Sequence, residues 1–310
     1  FNPDVFIVDK EPLGLRGEVK ETLVMLKERS TRLVLGLRDV MDEPHRLVEE
    51  WRPKNVNAVL EKLYDEIWVY GLPQICDPLE QMKLKSSTKQ KISFTGYLPR
   101  HASSSLPLPD REIFKRPYLL ATTGGGGDGE EMIDWVLNAY ELDALLPYPV
   151  LLVLGPFMSP DARKQFSKRA KKVERVDILT FDPNLEGLMA KAAGVVAMGG
   201  YNTFCEILSL DKKAIIIPRE KPRLEQRIRA LRAQELGLIN VLLDDGNRDP
   251  KKMTQALRSM PKQKLPSQII VPGLLEGLFN VNRLMSPWLH RIEKQPASHP
   301  AIHKLTPRAN

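Results

Sequence analysis

With 310 residues, 42% of them apolar and 27% charged, the sequence has the length for two domains and the composition of an ordinary soluble globular protein. Its longest apolar runs, such as Tyr148 to Phe157, fall far short of the roughly 20 residues that cross a bilayer, and no charged-then-apolar signal segment opens it. A formal net charge of +7 suits a nucleic acid, an anionic membrane surface or a phosphorylated small molecule. The basic residues are dispersed at helical spacing with no aromatic platform, so they read as solvated helix faces and no specific nucleic-acid partner is expected.

Two cysteines, Cys76 and Cys205, and five scattered histidines supply neither a disulfide framework nor a metal motif. The expected setting is cytoplasmic and reducing, with peripheral contact at the inner face of a membrane compatible with the charge. No cofactor or metal is expected, and the oligomeric state is left open.

In chain order, short apolar runs at Val5 to Val8, Arg32 to Leu37, Glu66 to Tyr70 and Lys91 to Thr95 alternate with helical patterns near 18–31 and 44–63. Residues 1–98 thus read as one α/β unit. A Pro/Ser stretch that fits neither period follows, and 99–112 is the predicted linker. Beyond it, strands are predicted near 117–123, 149–155, 176–181, 194–198, 213–218 and 239–243. Helices fall between them near 129–142, 160–171, 184–192, 202–210 and 224–236. Near-continuous apolar strands such as Val150 to Leu154 belong in a sheet covered by helices on both faces. Residues 113–290 therefore read as a doubly wound parallel sheet, whose ligands sit at the carboxyl ends of the strands. The tail, 291–310, has no periodicity and reads as disordered.

Four loops at those carboxyl ends carry chemistry. Met198 to Glu206 places two glycines, Gly199 and Gly200, between an apolar strand and a helix; first-turn N–H groups there have no intrahelical partners and face an anion. Glu206 lies on the same side of that helix as Thr203, so one helix can read a phosphate and a vicinal diol, which suggests a nucleotide. Thr122 to Glu130, with five glycines in six positions, lets a backbone approach an anion; it matches neither a P-loop nor a dinucleotide fingerprint. In Phe181 to Met189, either Asp182 or Asn184 caps the next helix, or the loop backbone reads a base edge with Leu185 or Met189 under the ring. In Pro218 to Gln226, Glu225 and Gln226 offer partners for sugar hydroxyls, while Arg219 or Arg223 can pair with a diphosphate.

Taken in order, these segments resemble the donor-binding domain of GT-B glycosyltransferases such as the family adding N-acetylglucosamine to the lipid-linked peptidoglycan precursor, and more narrowly a predicted glycosyltransferase group with that same C-terminal domain. The likeness covers about 115–245 well and 1–98 more weakly, as the later part of an acceptor domain. It implies a GT-B-like fold of two Rossmann-like α/β domains, the first incomplete, with a nucleotide-sugar donor and a glycan, lipid or small-molecule acceptor. It further implies that Gly125, Gly126, Gly127 and Gly129 lie along the donor diphosphate and that Gly200, Tyr201, Asn202 and Thr203 hold phosphate. Phe181 and Asp182 would contact the base, Glu206 the ribose, and Gln226 the donor sugar, with Glu225 replacing a more usual histidine. Met198 stands where the family has an arginine, so phosphate charge must be met by N–H groups, the helix dipole or Arg219. The family's N-terminal glycine-rich loop and histidine base are expected upstream of Phe1. Within the chain the candidate bases are Asp39 and Glu18, although a surface Arg38–Asp39 pair and a helix-initiating Glu18 explain them equally well. The expected reaction is metal-independent, inverting hexosyl or N-acetylhexosaminyl transfer from a UDP-sugar. Its rivals are a nucleotide-sugar hydrolase or 2-epimerase, and a non-catalytic nucleotide-sugar or polyanion binder.

Overall fold

A computed structural model describes residues 3–102, 110–125 and 127–293. In the first unit β1 (Val5–Asp9), α1 (Lys20–Glu28), β2 (Arg32–Arg38), α2 (Pro44–Trp51), α3 (Val56–Lys62), β3 (Glu66–Tyr70), α4 (Ser86–Lys89) and β4 (Ile92–Phe94) form a four-stranded sheet in the order β1-β2-β3-β4, all parallel. The single helix expected over 44–63 is two, because Asn55 adopts a left-handed φ of 49° between them.

The second unit comprises β5 (Leu119–Thr122), α5 (Glu130–Leu142), β6 (Val150–Val153), α6 (Pro160–Ala170), β7 (Val176–Leu179), α7 (Leu185–Lys191), β8 (Gly194–Ala197), α8 (Tyr201–Ser209), β9 (Ala214–Ile216), α9 (Glu225–Glu235) and β10 (Asn240–Val241). Two further helices are α10 (Pro250–Ser259) and α11 (Gly277–Glu293). The six strands run parallel in the order β10-β9-β8-β5-β6-β7. Counted from β5, this is the doubly wound order 3-2-1-4-5-6, whose connections reverse between β5 and β8. Alternate residues of each central strand enter different cores: Leu151 and Val153 pack on one face, Val150 and Leu152 on the other. Both faces are covered, which is why these strands read as continuous apolar runs.

The units do not meet as two wetted surfaces. Val40, Leu72, Ile75 and Tyr97 of the first unit share one core with Tyr201, Phe204 and Ala230 of the second. Near the end of the range 113–290 read as the second unit, the chain returns to the first sheet. Tyr97 N–H donates to the Leu274 carbonyl (2.9 Å), Gly277 N–H to the Tyr97 carbonyl (3.1 Å), and Trp288 stacks on Trp68 at 6.2 Å. A Cβ on Gly96 would lie 2.1 Å from the Gly273 carbonyl oxygen, so glycine is required where the two segments cross. Of the expected linker, Arg100 and Arg111 already bond to Ser209 and Asp177 of the second unit, while 103–109 lie outside the described residues. So does the tail from 294 onward, whose expected disorder is left there. No helix among the described residues is long and apolar enough to cross a membrane.

Candidate functional site

The carboxyl ends of β5 and β8 flank the switch point, and their two loops shape the site. After β8, Gly199 takes φ +86°, and a Cβ there would come within 2.6 Å of the Ile216 Cγ2. Gly200 caps α8 with no side-chain hydrogen bond and with open space where a Cβ would stand. The first N–H groups of α8 are therefore left to whatever occupies that space, at the positive end of the helix dipole. After β5, the glycine loop rests on the loop that follows β6. Phe157 N–H donates to the Gly125 carbonyl (3.0 Å), and Gly155 (φ +86°) passes so close that a Cβ would meet the Gly124 carbonyl oxygen at 2.7 Å.

Between these loops lies a cavity of about 360 Å³. Gly125 and Gly127 line it from one side, and Gly200, Tyr201, Asn202 and Thr203 from the other; Arg219 and Gln226 close the base, and Arg38 enters from β2 of the first unit. Eight of the residues that sequence reasoning grouped thus surround one space. Gly126 lies outside the described residues. Gly129 is buried, and a Cβ on it would sit 2.2 Å from the Thr123 Cγ2. Packing against Thr123 beneath the loop requires glycine there, and Gly129 is not among the residues that line the cavity.

The loop after β7 divides its roles. Asn184 caps α7, its Oδ1 accepting from Gly187 N–H (3.1 Å), while Asp182 accepts from Asn184 N–H (2.8 Å). Phe181 is exposed and Leu185 half-buried. Met189 is fully buried in the core, so it cannot lie under a bound base. Glu206 is half-buried on α8, and its carboxylate makes no hydrogen bond or ion pair among the described residues. Burial, reinforced by the Glu186 carboxylate and opposed by Arg100, pushes its carboxyl up to about 7.

Several charged candidates have other work. Arg219 donates to Asp128 of the glycine loop (2.6 Å) and to Glu225 (3.0 Å), so its fork is held between two carboxylates. Glu225 is thereby the partner of Arg219, and Gln226 Oε1 accepts from the Arg219 backbone N–H (3.1 Å). Arg223 pairs with Glu50 of the first unit (2.8 Å) and is not among the residues that line the cavity. Asp39 cannot be a base that meets an acceptor: it is wholly enclosed, and its two oxygens accept from Arg229, Tyr97 and the Val40 backbone. No Arg38–Asp39 pair forms. Glu18 accepts from the Arg16 and Leu15 amides, which hold its carboxyl below the usual glutamate value and make it a poor base.

Arg38 is the lining residue that sequence reasoning passed over. A charged residue at the carboxyl end of the apolar run Leu33 to Leu37 was the available signal, since strand carboxyl ends face the site in such sheets. Its guanidinium lies 5.4 Å from the Tyr201 ring centroid, and that ring is held on its other contacts by Arg229 and by a hydrogen bond from its hydroxyl to the Tyr70 carbonyl (2.8 Å).

Two parallel α/β units meeting through the carboxyl ends of their sheets, with a C-terminal helix crossing back, define the GT-B fold. Residues 120–268, in the C-terminal unit, match the model of the Glycosyltransferase family 28 C-terminal domain. The whole chain is similar to CalG4, the calicheamicin glycosyltransferase, at 14% identity over 94% of this chain and 74% of that one (TM-score 0.60). It is also similar to a UDP-N-acetylglucosamine 2-epimerase (15%, 97% and 76%, TM-score 0.61) and to Acinetobacter baumannii MurG (11%, 92% and 99%, TM-score 0.52). At such identities the likeness establishes the fold. No curated protein matches the chain.

Proposed function

We propose that the chain is a glycosyltransferase that moves a hexosyl or N-acetylhexosaminyl group from a nucleoside-diphosphate sugar, UDP in our reading, to an acceptor hydroxyl. The observation that carries this is the convergence of the glycine loop, the bare N-terminus of α8 and Gln226 on one cavity at the switch point of a family 28 domain. In the reaction the acceptor oxygen attacks the anomeric carbon, the bond to the diphosphate breaks with inversion, and the acceptor proton goes to a base that neither Asp39 nor Glu18 supplies. The N–H groups of Tyr201 to Thr203 are aimed where charge accumulates on the leaving group, which is stabilisation without a metal. Gly125 and Gly127 give the diphosphate room, the Phe181–Asp182 backbone and Leu185 meet the base, and Gln226 meets the donor sugar. Glu206, a carboxylate with no protein partner, accepts from the ribose hydroxyls.

A thermal-shift panel of UDP, GDP and dTDP tests the reading, because a ligand that binds only the folded state raises its stability. We expect UDP to raise the melting temperature most and Glu206→Ala to abolish most of that rise. A charge-driven polyanion binder would instead keep its affinity in Glu206→Ala and lose it in raised salt. The equal likeness to a 2-epimerase favours a second reading, conversion of the nucleotide sugar with no acceptor. Product analysis separates the two: a transferase releases free UDP only when an acceptor is present, whereas an epimerase returns an intact UDP-sugar.

A further inference from the structure

The cavity presents a charge problem. A nucleoside diphosphate brings concentrated negative charge, yet the Arg219 guanidinium is matched by Asp128 and Glu225, so that cluster carries one more carboxylate than cation. Met198 leaves the end of β8 without a cation. The N-terminus of α8 supplies about half an elementary charge. The remaining lining cation is Arg38, and among the described residues it has neither a carboxylate partner nor a hydrogen bond. It is half-buried, and the Tyr201 ring face holds it without neutralising it.

We infer that Arg38 is the residue that takes up the phosphate charge of the ligand, reaching from the first unit toward the helix terminus of the second. This rests on the reading of the cavity as a nucleoside-diphosphate site. A planar guanidinium offers two parallel N–H groups to phosphate oxygens, so Arg38 and the α8 N–H groups grip one anion from opposite sides. The first unit then takes part in binding the donor, although the family 28 match lies wholly in the second. The selectivity for diphosphate over bare nucleoside depends on a side chain outside that domain.

Calorimetric titration of UDP and of uridine into the wild type, Arg38→Gln and Arg38→Lys tests this. We expect Arg38→Gln to weaken UDP binding about 10- to 100-fold, the loss of one charge-assisted contact, with uridine binding unchanged. Arg38→Lys should recover part of the loss, as a point charge without the fork. UDP affinity unchanged in Arg38→Gln overturns the assignment of Arg38 alone, and so does an equal loss for uridine, which would mark a role in shaping the pocket. A wild type that binds none of UDP, GDP and dTDP overturns the nucleotide reading and this assignment with it.

Discussion

Arg229 of α9 grips Asp39, which follows β2, through two bonds, Nε to Oδ2 at 2.7 Å and Nη2 to Oδ1 at 2.6 Å, with both side chains enclosed between the units. Its third contact, from Nη1 to the Gly199 carbonyl (3.2 Å), ends on the glycine that shapes the turn before α8. The interdomain pair therefore sets both the relation of the units and the position of that turn. Removing one partner of such a pair strands a buried charge, so Asp39→Ala should cost about 3–5 kcal/mol in urea denaturation. The double variant Asp39→Leu/Arg229→Met should regain most of that stability, because neither charge is then left alone. A single variant that unfolds at the wild-type urea midpoint would show that the pair contributes nothing.

Gly199 and Gly200 are adjacent but should respond oppositely to alanine. Gly199→Ala places a methyl on a residue with φ +86° and against Ile216, at a cost of about 2–4 kcal/mol in stability. Gly200 has φ −56° and ψ 154°, which alanine adopts freely, and open space around it. Gly200→Ala should melt with the wild type and lose nucleotide affinity, because the methyl occupies the face the ligand needs. Thermal melts with and without UDP read both effects.

The contrast between those glycines marks where the sequence was legible. The parallel sheet and its ligand-facing loops could be read because both-face burial writes continuous apolar runs, and glycine pairs punctuate strand-to-helix turns. The function of each glycine could not be read: Gly129 looks like Gly125 in the chain, yet one packs against Thr123 and the other faces the cavity. Asp39 looked like a base because its partner Arg229 lies 190 residues away, beyond any local pattern. The return of α11 to the first sheet was hidden for the same reason, since the stacking of Trp288 on Trp68 has no periodic signature. Asp182 and Asn184 offered the same capping chemistry two residues apart, and only the backbone decides that Asn184 performs it.

Glu206 should make both stability and binding respond to pH. Its folded value of about 7 stands above the ordinary 4.5, so between these values the folded chain holds a proton that the unfolded chain has released. Stability contributed at this position therefore falls as pH rises from about 4.5 to about 7 and stays low above that. Glu206→Gln should raise the melting temperature of the unliganded protein at pH 8 and leave it unchanged at pH 4. Ribose hydroxyls donate best to an ionised carboxylate, so wild-type UDP affinity should rise from pH 6 to pH 8 while that of Glu206→Gln stays flat. Calorimetry across that range would expose a ribose contact made elsewhere, because both proteins would then give parallel curves.

Arg219 is the last discriminating position, since its two carboxylate partners fit a clasp on the glycine loop and its place in the cavity fits a phosphate ligand. The two roles predict opposite signs for one substitution. If Arg219 bound phosphate, Asp128→Asn would free its charge and tighten UDP binding. If it clasps the loop, Asp128→Asn loosens the segment that carries Gly125 and Gly127 and weakens binding. The enclosed carboxylate oxygen of Glu225 and the enclosed Nε of Arg219, both without partners, are atoms that an arginine released toward ligand would not leave buried. We expect weaker binding in Asp128→Asn and a similar loss in Arg219→Gln. The double variant should be no worse than either, because both remove the same clasp. Tighter UDP binding in Asp128→Asn, with a loss in Arg219→Gln, would place Arg219 on the phosphate instead.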